Sequence, residues 1–234
     1  MSPILYLIPT TLGDVELAYC IPNHVVEVAQ SLRHFIVEDT RTARRHLSKL
    51  KMPVPIDELN FYELNEHTRP EELHALLQPL LNGENVGLMS EAGVPAIADP
   101  GRDIVYIAHQ KGIKVIPLVG PSSILLALMA SGLNGQSFAF NGYLPVKDQE
   151  RIQRIRTLEK RSAQEKQTQV FIEAPYRNTK LLEAFLSACT DGTMLCIAAN
   201  LTLDSEWVQT QAISYWKKHK PDINKKPCIF IMQG

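Results

Sequence analysis

Four short stretches carry the residue types that chemistry needs, and each follows an apolar run. They are Pro9-Thr10-Thr11-Leu12-Gly13-Asp14, Glu38-Asp39-Thr40-Arg41, Ser90–Gly101 and Val119-Gly120-Pro121-Ser122-Ser123. The third, Ser90-Glu91-Ala92-Gly93-Val94-Pro95-Ala96-Ile97-Ala98-Asp99-Pro100-Gly101, places two glycines and two prolines within nine residues. Neither a helix nor a strand continues through that composition. Glycine lets a ligand approach the backbone, and proline holds a loop's shape without an ordering cost on binding. On these grounds the stretch is a rigid binding loop or a plain stiff turn. In the second stretch Thr40 is placed to cap the following helix, with Asp39 near its positive end. Asp99 is expected to tie down its own loop through backbone hydrogen bonds.

The chain has no G-x-G-x-x-G, Walker A loop, G-x-S-x-G or H-E-x-x-H. Nicotinamide redox chemistry, P-loop hydrolysis and the ordinary hydrolases are therefore poor candidates. Strand-end loops without a phosphate signature point to a polar ligand held by backbone groups and lacking clustered negative charge.

Positioning these loops requires alternating strands and helices. Ile4–Pro9, His34–Asp39, Val86–Ser90 and Ile113–Leu118 read as buried strands, and Glu16–Leu32, Thr40–Leu50, Arg102–Lys111 and Ser122–Ser131 as helices. Pro70–Leu81 also has helical spacing. The repeated unit predicts a mostly parallel sheet flanked by helices. After Leu118 the rhythm changes: Phe138–Tyr143, Thr168–Glu173, Met194–Ala199, Trp207–Ala212 and Cys228–Met232 read as strands, with helices at Asp148–Arg161 and Asn178–Cys189. The fold class is α/β, with two α/β lobes at residues 1–118 and 119–234, the second a mixed sheet.

The 234 residues carry a net charge of −1, so no global field draws the chain to nucleic acid or an anionic membrane. No stretch is long enough to span a bilayer, and a cytoplasmic location is expected. The four cysteines form no C-x-x-C, and no two histidines have ligand spacing, so no metal is expected. Arg41, Arg45 and Lys49 recur every four residues along one helix face. An ordinary solvated face is the favoured reading of that stripe, with RNA contact as the alternative.

Six motifs in order give a resemblance. Leu5-Tyr6-Leu7-Ile8-Pro9-Thr10, Glu38-Asp39-Thr40-Arg41, Ser90–Gly101, Pro117–Ser123, Ser131-Gly132-Leu133 through Lys147, and Glu173-Ala174-Pro175-Tyr176-Arg177 resemble the tetrapyrrole methylase superfamily of S-adenosylmethionine-dependent methyltransferases. Within it the likeness is nearest to the ribose 2'-O-methyltransferases of small-subunit ribosomal RNA. The resemblance implies two α/β lobes with a cofactor cleft between them, S-adenosylmethionine as cofactor, RNA as partner, and a homodimer. It implies cofactor binding by Pro9, Ser90, Gly93, Val94, Pro95, Ile97, Ser122 and Ser123, with Phe171, Ile172 and Ala199 as an adenine slot or simply core.

A ribose hydroxyl must lose its proton to attack a methyl group. Catalytic candidates are thus Asp39, Glu38 and Glu66, with Glu91 beside them and Arg41 or Lys147 to hold a phosphate. Without the resemblance, Asp39 and Arg41 read as a helix cap and a local ion pair. The departures fall at Leu64-Asn65-Glu66, where the family has H-N-E, and at Asn200-Leu201, where it has R-E. They keep open two alternatives: C-methylation of a tetrapyrrole, and a cofactor-binding protein that has lost catalysis.

Overall fold

The computed structural model describes residues 2–65 and 67–234, so the candidate Glu66 lies outside the described residues. The chain forms two compact units, Met1–Ser122 and Ser123–Gly234. Each has a five-stranded sheet.

In the first unit the strands are β1 (Ile4–Leu7), β2 (His34–Val37), β3 (Asn60–Glu63), β4 (Val86–Met89) and β5 (Lys114–Pro117). All neighbours are parallel and the order is β3-β2-β4-β1-β5. Central β4 is buried along its whole length, which is why its sequence is a continuous apolar run. Alternation sends side chains to two cores. Phe35, Val37 and Met89 pack with Val25 and Ala29 of helix α1 (Asn23–Ser31) and with Ala43 and Leu47 of α2 (Thr40–Lys49). Ile36, Val86 and Leu88 pack on the other face with Ile104 and Ala108 of α3 (Arg102–Gln110).

That arrangement fixes where a ligand belongs. The chain leaves β1 toward β2 on one side, and leaves β4 toward β5 on the other, with the crossover helices on opposite faces. Adjacent strands whose connections diverge open a crevice at their carboxyl ends, the usual ligand position of open α/β sheets. Here the crevice lies between the ends of β1 and β4, where the loops after Leu7 and Met89 emerge.

The second unit is mixed, as its sequence predicts. Its strands are β6 (Phe138–Phe140), β7 (Thr168–Ile172), β8 (Met194–Ala199), β9 (Trp207–Ala212) and β10 (Cys228–Gln233). They order as β6-β7-β10-β8-β9, with β6 parallel to β7 and every other pairing antiparallel. Phe171, Phe185 and Phe230 form one core with helices α5 (Asp148–Glu165) and α6 (Asn178–Ala188). Helix α4 (Ser123–Ser131) packs against β8, β9 and β10 and accepts a 2.7 Å hydrogen bond from Thr210 Oγ1 at the Ser131 carbonyl.

Three expectations need correction. The helix expected over Glu16–Leu32 is two, Leu17–Cys20 and α1, because Pro22 has no N–H and forces Ile21 out of helical backbone. Pro70–Leu81 is likewise broken, into a 3-10 turn at Pro70–Glu72 and short helices at Leu73–Leu76 and Gln78–Leu81, with Pro79 at the second break. Strand β3 is absent from the sequence reading: it is a four-residue edge strand, Asn-Phe-Tyr-Glu, without a buried run to reveal it. Among the described residues no helix is long and apolar enough to cross a membrane, and no three His, Cys, Asp or Glu side chains are grouped to hold a metal ion.

The fold makes a direct prediction. Phe230→Ala empties a fully buried position on a central strand and is expected to cost about 3–5 kcal/mol in chemical denaturation. Leu125→Ala, on the exposed side of α4, is expected to stay within about 0.5 kcal/mol. Equal effects would mean that the core is elsewhere.

Candidate active site

Three loops of the first unit close on one another at the crevice. The Thr10 amide donates to the Gly93 carbonyl at 2.8 Å, and the Thr10 hydroxyl reaches the Ser90 carbonyl at 3.5 Å. Gly120 lies so close to Pro9 that a Cβ there would sit 2.1 Å from the proline ring. A Cβ on Gly93 would meet Leu12 at 3.1 Å and the Pro121 carbonyl at 3.4 Å, on backbone with φ +80°. The expected ligand residues Pro9, Ser90, Gly93, Val94, Pro95 and Ile97 therefore share one rim, with Gly120 and Pro121 as a third wall.

The Ser90–Gly101 loop is strained as well as stiff. Gly93, Ala96, Ala98 and Gly101 all have positive φ, with Ala96 at 66° and Ala98 at 64°. Alanines in that region cost on the order of 1 kcal/mol each and persist only where the surroundings impose them, a pattern concentrated at functional sites. Beneath Val94–Ile97 lies a cleft of about 380 Å³ lined by Leu7, Pro117, Leu118 and the α3 residues Arg102 and Val105. Ile97 is exposed at the rim, whereas the Ser90 hydroxyl is buried without a hydrogen-bond partner.

Four carboxylates gather at the carboxyl ends of β2 and β4, and their environments separate their roles. The Glu91 amide donates to Glu38 Oε2 at 3.2 Å, and the Thr42 hydroxyl donates to Glu91 Oε1 at 3.1 Å. Burial raises the Glu38 carboxyl; the Glu91 amide opposes this, while the charges of Asp99, Glu91 and Asp39 add to it. Asp39 goes the other way. The Thr42 amide donates to Asp39 Oδ1 at 2.7 Å, and this bond holds the carboxyl below its ordinary value. Asp39 is thus the N-cap of α2, in place of the expected Thr40, whose own amide donates to Glu63 Oε1 at 3.3 Å. Burial raises Asp99 too. Among the described residues no backbone donor reaches Asp99, contrary to its expected loop-tying role; the Ser90 hydroxyl leans toward it without completing a hydrogen bond.

The remaining candidates lie apart from this rim. Arg41 projects from the first turn of α2 into solvent. Ser122 and Ser123 sit where the two units join in sequence, Ser123 opening α4. In the second unit Phe171 and Ala199 have core side chains, with Phe171 edge-on to Phe185 at 5.4 Å, so the sequence's alternative of plain core describes them; Ile172 alone of the three is partly exposed. Sequence reasoning missed Thr42 and His46. Thr42 follows Asp39 by three residues, the spacing of an N-cap bond, which was a usable signal. His46 gave none, since it reads as part of a polar helix face.

Comparison with known proteins follows from this geometry. Residues 5–213 match the family described as Tetrapyrrole (Corrin/Porphyrin) Methylases. The ribosomal RNA small subunit methyltransferase I of Vibrio cholerae is 35% identical over 236 residues, spanning 100% of this chain and 78% of that protein. The protein of the same name from Synechocystis is 34% identical over 222 residues, covering 93% and 75%. Among solved structures, the methyltransferase CobJ superposes with a TM-score of 0.67 at 13% identity, covering 100% of this chain and 95% of its own. The cobalt precorrin-4 methyltransferase CbiF superposes at 0.63 with 16% identity, covering 98% and 94%. At those identities the structures show a shared fold.

The carboxylate cluster predicts a pH signature. A carboxyl raised in the folded state contributes stability below its unfolded value, and that contribution is lost as pH rises through its folded value. Glu38→Gln is therefore expected to be more stable than wild type at neutral pH, with the gap closing as acid protonates Glu38. Denaturant titrations across pH would read this, and a wild type more stable at neutral pH would refute it. Gly120→Ala is expected to lose about 1–3 kcal/mol in the same assay, because Pro9 cannot yield.

Proposed function

The chain belongs to the tetrapyrrole (corrin/porphyrin) methylase family and is a methyltransferase, and from that premise we propose that it transfers the methyl group of S-adenosylmethionine to a ribose 2'-hydroxyl of small-subunit ribosomal RNA. The relatives that match it along its whole length at about a third identity are named for small-subunit ribosomal RNA. The observation that supports a hydroxyl acceptor is Glu38, a half-buried carboxylate just past the end of β2 that accepts from the Glu91 amide at 3.2 Å, with burial raising its carboxyl.

The first unit's rim suits this cofactor. S-adenosylmethionine supplies, when bound, a methyl group on a positively charged sulfur. Carboxylates at Glu38, Glu91 and Asp99 favour a cationic ligand and disfavour a triphosphate. The buried Ser90 hydroxyl beside Asp99 supplies a polar contact, and the left-handed residues Gly93, Ala96 and Ala98 fix the directions of the loop's amides and carbonyls. Pro9, Ser90, Gly93, Val94, Pro95 and Ile97 would hold it, with the aliphatic cleft below them of a size suited to a small ligand. Ser122 adjoins this rim in sequence; Ile172 has the exposure to touch a ligand, which Phe171 and Ala199 lack.

The protein's own work is then alignment and proton removal. A hydroxyl held against Glu38 passes its proton to that carboxylate as the oxygen attacks. Asp39 is a weak proton acceptor, because its charge is committed to the start of α2. Its role is to hold the helix that carries Thr42, and Thr42 in turn fixes Glu91 beside Glu38. Arg41, exposed at the first turn of α2, is placed to meet an RNA phosphate.

The test is methyl transfer from radiolabelled cofactor into small ribosomal subunits, their free RNA and a uroporphyrinogen-type acceptor. We expect label in the RNA alone, and Glu38→Gln to lower kcat by about 10²–10⁴-fold, the range of general-base catalysis, while S-adenosylhomocysteine affinity stays within a few-fold. Label only in the tetrapyrrole, or in neither acceptor, would overturn the proposal. Asp39→Ala is expected to cost about 1 kcal/mol of stability through the lost cap.

A further inference from the structure

A second concavity opens beside the carboxylates, also within the first unit. It is a groove of about 410 Å³ between the loop Thr11–Asp14 and one face of α2, from Thr42 to Lys49, and it is closed at one end by Glu91 and Ala92. It shares Thr42 and Glu91 with the site above and is otherwise separate.

Three side chains in the groove point to one class of ligand. Arg45 is exposed and makes no ion pair or hydrogen bond among the described residues. Lys49 is held by Asp14 at 2.5 Å, with the Asp14 side chain 93% exposed. An ion pair so open to water is worth little, so a competing anion displaces Asp14 cheaply. His46 lines the same groove, is 92% buried by its 8% exposure, and leaves Nε2 without a partner. Burial and the Lys49 charge bring this imidazole down to about 4, so it is neutral. A neutral ring nitrogen in want of a hydrogen bond suits an uncharged polar edge, and two adjacent cations suit a phosphodiester. A nucleotide carries both, one bond apart from its sugar.

Local cations are also what the chemistry next door demands. The carboxylates at Glu38, Glu91 and Asp99 repel phosphate, and the chain as a whole is at −1. An RNA strand reaching Glu38 needs an anchor that outweighs them at close range.

We propose that this groove seats the nucleotide flanking the acceptor, with Arg45 and Lys49 on its phosphodiester and His46 Nε2 on its sugar or base edge. The assignment rests on the RNA reading above and adds the residues that hold the strand. Asp14 acts in it as a built-in competitor, occupying Lys49 until the phosphate arrives. The stripe read from sequence as ordinary solvated face becomes, at Arg45 and Lys49, a binding face.

Anisotropy titrations of a short mixed-sequence fluorescent RNA oligonucleotide across a salt series would test this. Arg45→Gln and Lys49→Gln are each expected to weaken binding about tenfold at low salt, the scale of one charge-assisted contact. Each should also reduce the salt slope by about 0.7, the value for one phosphate on a single strand. Asp14→Asn is expected to tighten binding several-fold. Lys111→Gln removes the same charge at the amino ends of the strands and should change little. S-adenosylhomocysteine affinity, measured by calorimetry, should be unchanged in all four and certifies folding. Equal losses for Lys111→Gln and Arg45→Gln would overturn the groove in favour of a general charge effect. So would a wild type that methylates small subunits with Arg45→Gln and Lys49→Gln showing the same KM and affinity, an outcome that leaves the ribose reading standing. A wild type that neither binds nor methylates RNA would end both.

Discussion

The divergence of the chain at β1 and β4 is the constraint on which the first unit depends. Two adjacent parallel strands send their connections to opposite sides, and no helix can cover the gap between their carboxyl ends. What fills the gap must be loop, and a loop there must satisfy its own backbone. The sequence meets that demand with close approaches: the Thr10 amide on the Gly93 carbonyl and the bare backbone of Gly120 against the Pro9 ring. The strain at Ala96 and Ala98 is tolerable because the loop is clamped at both ends, by Thr10 and Gly93 near one and by Gly101 against Leu88 at the other. Rigidity of this kind spends its entropy during folding, so little is left to lose when a ligand arrives.

The same sheet end separates opposite charges over a short distance. Carboxylates from the ends of β2 and β4 form one cluster, and helix α2 begins beside them with a run of cations. Asp39 is the joint between the two. As an N-cap it starts the helix that carries the cations, and as a carboxylate it adds to the field that raises Glu38. Its substitution acts on both sides of the boundary, which distinguishes it from Glu38, whose consequences stay in the cluster.

Much of this was legible in the sequence, for reasons that differ by element. β1, β2 and β4 announce themselves because a strand with strands on both sides and helices above and below is largely apolar; β5, although an edge, shows through the apolar Val115 and Ile116 at its middle. β3 is hidden because a short half-exposed edge needs no such run. The helical pattern over Glu16–Leu32 overrode Pro22, although proline's missing N–H was in plain view. The binding loops were legible through glycine and proline, which advertise unusual backbone locally. The choice of Glu38 over Asp39 was not, since it depends on Glu91, 53 residues away, and on Asp99 beyond it. Basicity is a property of neighbours, and neighbours are set by the fold. His46 was hidden for the same reason: only its packing makes it neutral and leaves its nitrogen unpaired.

The second unit's sheet carries a consequence for biosynthesis. Its middle position is filled by β10, which lies between β7 and β8 and is the last of the five strands in chain order. A nascent chain has every strand of the first unit by Pro117, so that unit can close while translation continues. The other cannot, because β7 and β8 have no partner between them until Gln233 has left the ribosome. At ordinary elongation rates the wait is on the order of ten seconds. From the completion of β8 to that of β10, the edges of β7 and β8 that face each other in the finished sheet are unpaired. The sheet of the second unit is therefore completed only when its last six-residue strand enters between two strands made earlier.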